Sequence, residues 1–152
     1  MCLITKQIRP IKIRKERTCY KLVWIPKEEN NVKSIYNPFK YMLGLLYETE
    51  LKYINADHND AIAFDCKVDS YYGYRPLRKM KCNLTVVTEG FHSALEVDRF
   101  RWDSYIPYNY GIVKCTIPVG ALIHLDKTGL IVSDKIIINE VVKVKRNPYA
   151  GL

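Results

Sequence analysis

The last third of the chain leaves the least freedom. Residues 111–145 read GIVKCTIPVG, ALIHLDKTGLIV, SD and KIIINEVVKVK. Stretches rich in valine and isoleucine alternate with turn formers at Pro118 to Gly120, Asp126 to Gly129 and Ser133-Asp134. Branched side chains lose rotamer freedom in a helix and fit a pleated surface. The pattern predicts a strand over 111–120, a hairpin over 121–132 with its turn at 126–129, and a final strand over 135–145. Pro118 has no amide hydrogen for a ladder, which puts the end of the first strand near a sheet edge.

Earlier stretches are read the same way. TCYKLVWIP (18–26) is a strand stopped by Pro26. SIYNPFKYMLGLLYETE (34–50) carries a turn at Asn37-Pro38 and a bend or bulge at Gly44. Residues 55–75 mix turn formers with aromatics and are the least regular part, and KCNLTVVTE (81–89) is again a strand. No internal repeat or low-complexity linker divides the chain, and 152 residues suffice for one real core. The expected class is α+β: a β-rich single domain over 1–152, with an antiparallel or mixed sheet, a basic N-terminal segment 1–17 and one short helix near 93–103.

That helix rests on Ser93-Ala94-Leu95-Glu96, which matches the S-x-x-E capping box. Ala94, Val97 and Phe100 would share its inner face. His92 would then stand just outside a helix N-terminus, directly after a strand. Free amides and the helix dipole favour an anion there and keep a histidine neutral.

Charge points to the kind of partner. The formal net charge is +8, which favours an anionic ligand such as a nucleotide, a cyclic nucleotide or nucleic acid. Lys6, Arg9, Lys12, Arg14, Lys15, Arg17 and Lys21 crowd the first 21 residues, and Arg75, Arg78, Lys79 and Lys81 form a second cluster. Much of this charge is expected to be solvated strand edge. No apolar run approaches ~18 residues, and the N-terminus lacks a signal-peptide core. The chain is therefore expected in the cytoplasm, a host's if phage-encoded, without membrane contact. The five cysteines include no C-x-x-C pair. They are expected as free thiols, with Cys19 and Cys115 in the core, and no metal or cofactor is expected.

Several stretches resemble a family of small proteins of tailed phages and of bacteria such as Bacteroidetes. They are CYKLV (19–23), SIYNPFKYMLGLLYE (34–48), EGFHSALEV (89–97), IVKCTIPVGALI (112–123) and IVSDKIIINEVV (131–142). The family pattern runs Y-K-V, S-P-Y-x-x-F-x-Y-x-x-G-K-x-Y, G-F-H-S, V-K-C-x-I-P-x-G and V-S-D-K-I-I-I. This chain departs at Ile35, where proline is usual, and at Leu45, where lysine is usual. The resemblance implies a phage or mobile-element origin, and it carries over no catalytic residue.

The candidate site residues are His92, Ser93, Tyr74, Arg75, Arg78 and Lys135. His92 reads as a ligand contact or a weak general acid/base candidate, against a plain turn residue. Ser93 belongs to the same turn. Tyr74, Arg75 and Arg78, in YYGYRPLRK (71–79), would combine stacking with guanidinium charge, against an ordinary exposed loop. Lys135 adds an amine to the Ser133-Asp134 turn, where a plain turn is the stronger reading. His124, within an alternating strand, reads as a satisfied or surface side chain. The leading function is a non-catalytic binding protein for an anionic ligand, in its sharpest form a phage-borne protein that sequesters nucleotides or blocks host defence. The alternatives are a small enzyme using His92 on a nucleotide-like substrate and a protein–protein adaptor through tyrosine-rich strands, with a host protein or a second copy as partner.

Overall fold

Strands form where the branched and aromatic runs lie. The computed structural model describes residues 3–26, 31–34, 39–56, 84–97 and 109–145. The first strands are β1 (Leu3–Thr5), β2 (Ile11–Lys12), β3 (Arg17–Trp24) and β4 (Asn31–Ser34). Short strands β5 (Lys40–Met42), β6 (Leu46–Glu48) and β7 (Lys52–Ala56) follow, then β8 (Leu84–Glu89) and β9 (Phe91–Ala94). The chain closes with β10 (Tyr110–Ile117), β11 (Leu122–Leu125), β12 (Leu130–Ser133) and β13 (Lys135–Lys145). The expected turn at Asn37-Pro38 lies outside the described residues.

Every pairing is antiparallel. The large sheet runs β2-β11-β12-β9-β3-β10-β13-β6, with β4 and β5 added beside β3. A second sheet runs β1-β8-β7. Leu3 and Val87 of the small sheet pack with Val132 of the large one. The main core gathers Cys19, Val23, Val113, Cys115, Ile131, Ile136 and Ile138 from neighbouring strands. The hairpin of β11 and β12 turns on Asp126, whose carboxylate accepts from the amides of Thr128 and Leu130. Gln7 fastens the N-terminal segment to β11: its side-chain amide donates to the Ile123 carbonyl and accepts from the Leu125 amide. The side chain thus stands in for a length of paired backbone.

One expectation is overturned. Ser93 does not begin a helix. Phe91 to Ala94 form β9, where Ser93 pairs with Ile131 and Ala94 with both Leu130 and Tyr20. Long-range pairing to β12 and β3 takes the backbone groups that a capping box would need. The local S-x-x-E signal is a preference of about 1 kcal/mol, and a buried central strand outweighs it.

Gly90 makes the step between the two sheets. Its φ is +151°, and a Cβ there would come within 2.4 Å of Val132 Cγ1 and 2.7 Å of Leu51 Cδ2. Only glycine lets β8 pass into β9 without pushing the sheets apart.

Candidate functional site

The chemistry gathers around β3. Along RTCYKLVW, Cys19, Lys21 and Val23 share one parity, and all three are buried. The strand therefore carries a lysine into the face it shares with the core. Lys21 is only 8% exposed, whereas Lys6, Arg9, Lys12, Arg14, Lys15 and Arg17 are all exposed. The Lys21 ammonium donates to the His92 carbonyl oxygen at 2.5 Å and stands 5.8 Å from the centre of the Tyr41 ring. Among the described residues no carboxylate pairs with it. Burial pulls its pKa below the ordinary lysine value, and Cys115 and Cys19 oppose that pull in part.

Lys21 lines a cavity of about 500 Å³ that reaches from β3 to β9 and out to the segment around β6. Leu3, Lys21, Tyr41, Phe91, Ser93, Ile131 and Val132 are its buried members, and Phe39, Glu48, Thr49 and Glu89 are exposed. One wall is an aromatic group. Tyr41 meets Phe39 and Tyr47 edge-on, with centroids 4.9 and 5.2 Å away, and Phe91 at 6.2 Å. Such edge-to-face contacts fix ring positions as well as burying area. Burial raises the Tyr41 phenol to about 12, with Cys115 and Tyr47 adding to the shift.

His92 also lines the cavity. Its Nδ1 lies 3.2 Å from the Gly90 carbonyl. A carbonyl only accepts, so Nδ1 carries the proton and Nε2 presents a lone pair. That Nε2 is buried and has no hydrogen-bond partner among the described residues. Burial first, then the charge of Lys21, lowers the His92 pKa to about 4. The ring is neutral at pH 7 for these reasons and not because of a helix dipole, since Ser93 sits in a strand.

Two thiols lie on the same face. Cys19 and Cys115 are direct partners across β3 and β10, free and fully buried. The hydrogen bond between them favours the thiolate on Cys19 and the thiol on Cys115. The Ser93 hydroxyl sits beside Cys19, where it also favours the thiolate, without a hydrogen bond of normal geometry.

Of the residues singled out from the sequence, His92 and Ser93 come together at the cavity. Lys135 opens β13 opposite Glu48 and is not among the residues lining it. Tyr74, Arg75 and Arg78 lie outside the described residues. His124 is not at the surface. It is fully buried against the Tyr53 ring, with centroids 5.0 Å apart, and burial lowers its pKa. The functional residue that the sequence does not single out is Lys21, one of the basic side chains crowding the first 21 residues. Its parity with Cys19 and Val23 was the available signal.

Comparison with family models, with curated proteins and with solved structures finds no match. Among the described residues no helix is long and apolar enough to cross a membrane.

Proposed function

We propose that the chain is a non-catalytic binding protein for a small anionic ligand held in the cavity between β3 and β9. One observation carries this reading. Lys21 brings an ammonium more than nine-tenths of the way out of water, on the wall of a cavity, with no carboxylate paired to it among the described residues. Holding a charge there without an ionic partner is costly. An anion entering the cavity removes that cost and gains a charge-assisted hydrogen bond of the stronger kind. The cavity volume of about 500 Å³ is within the ~300–1,000 Å³ of sites for small molecules. His92 Nε2 offers an acceptor to any hydroxyl or N–H on the same ligand.

Calorimetry with a mononucleotide, a cyclic dinucleotide, inorganic phosphate and a set of simple carboxylates, at low and high salt, tests the reading. At least one small anion should bind to the native chain, and Lys21→Met should abolish that binding. Wild-type and Lys21→Met proteins that bind the same anions equally would overturn it. Single-stranded DNA as a further probe asks whether an extended polyanion binds instead, independently of Lys21.

A further inference from the structure

We propose that the ligand of this cavity is an amphipathic monoanion, a carboxylic acid with an apolar body, and not a nucleotide. The proposal rests on the anion-binding reading above and narrows it.

Charge is the first reason. Among the described lining residues Lys21 is the one lysine or arginine, and the two glutamates, Glu48 and Glu89, are exposed. A mononucleotide brings about two negative charges at its phosphate, and a triphosphate brings more. One ammonium can balance one of them. The remainder would share the cavity with two carboxylates, of which, among the described residues, only Glu89 has a cationic partner, Lys52 at 3.4 Å. Unbalanced charge taken out of water is costly. A single carboxylate meets the single ammonium one to one. His92 stays neutral and adds no second positive charge.

The walls are the second reason. Leu3, Phe91, Leu130, Ile131 and Val132 line the cavity from both sheets, and Phe39 stands 44% exposed at its mouth. Burial of apolar area is favourable roughly in proportion to the area removed from water, so an alkyl or aryl body gains against these walls while a ribose would not. The ammonium is buried and the glutamates are exposed, which orients the ligand with its carboxylate inward.

Isothermal titration of the full chain at fixed ionic strength, with octanoate, octanamide, AMP and ATP as probes, tests this. Octanoate should bind at least tenfold more tightly than octanamide, which has the same body and no charge, and AMP and ATP should bind more weakly than octanoate. Lys21→Met should bring octanoate down to the level of octanamide. AMP or ATP binding more tightly than octanoate, in a Lys21-dependent way, would overturn the monoanion proposal and leave the anion reading standing. Equal binding of octanoate and octanamide, or binding of none of the probes, would overturn it as well. The wild-type comparison of acid with amide decides the matter even if the Lys21 variant folds poorly.

Discussion

The ammonium of Lys21 donates to the backbone carbonyl of His92, 71 residues further along the chain. The bond joins β3 to β9 at a point where the two strands share only the Tyr20–Ala94 pair. It ties the one buried lysine described here to the segment that lines the rest of the cavity. Stability and ligand binding therefore meet in one side chain, and they are expected to pull in opposite directions.

Replacing Lys21 by methionine keeps the length of the side chain and removes its charge. The buried ammonium loses its desolvation cost, while the bond to His92 and the contact with Tyr41 disappear. Desolvation is the larger effect for a charge without an ionic partner, so Lys21→Met should raise stability by about 1–2 kcal/mol. Chemical denaturation of the two proteins at pH 7 checks the sign. A destabilised Lys21→Met protein would mean that the two lost contacts outweigh burial of the charge.

The strands were legible because residues with one strong intrinsic preference came in uninterrupted groups. β13 begins at Lys135 and ends at Lys145 as the branched run predicts, and the 121–132 hairpin turns at Asp126 to Gly129 as expected. The helix at Ser93 was misread because S-x-x-E is a local signal, and the partners that decide the matter, Ile131 and Tyr20, are far away in sequence. The cavity was illegible for the same reason. Its walls come from β1, β3, β4, β8, β9 and β12 and from the segment around β5 and β6, and nothing in one stretch announces the others. Lys21 is the intermediate case. Strand periodicity places it on the buried face with Cys19 and Val23, yet a lysine is usually solvated.

Gly90 should not tolerate a side chain. Gly90→Ala would place a methyl 2.4 Å from Val132 Cγ1 at a φ of +151°. Strain and overpacking together should cost about 2–4 kcal/mol. Comparable melting temperatures for the variant and the wild type would show that the step between β8 and β9 relaxes freely.

Cys19 and Cys115 should resist thiol reagents in the native state and react once the chain unfolds, because both are fully buried. The hydrogen bond that favours a Cys19 thiolate does not help a reagent that cannot reach it. Peptide mapping after labelling with iodoacetamide, with and without denaturant, follows the two sites separately. Rapid native labelling of Cys19 would reveal an opening of β3 onto the cavity that the fold does not show.

The pH dependence of stability should follow the histidines. His92 titrates at about 4 in the folded chain against 6.5 for a free histidine, and burial lowers His124 in the same direction. Between pH 6.5 and 4 the unfolded chain therefore binds protons that the folded chain refuses. Stability gains with pH wherever the unfolded state binds more protons, so this contribution is fully present above pH 6.5. It declines as the pH falls towards 4 and changes little below that. For His92 alone the loss is on the order of 1–3 kcal/mol, since each pKa unit corresponds to about 1.4 kcal/mol and the ring keeps some exposure. Urea denaturation at pH 7.5, 6, 5 and 4.5 should show a fall in stability that steepens below pH 6.5. His92→Gln should flatten that fall by the share His92 contributes, leaving the part due to His124. A His92→Gln protein with the wild-type slope would mean that His92 takes up its proton as readily in the folded chain as in the unfolded one. Its Nε2 would then face water and not the interior of the cavity.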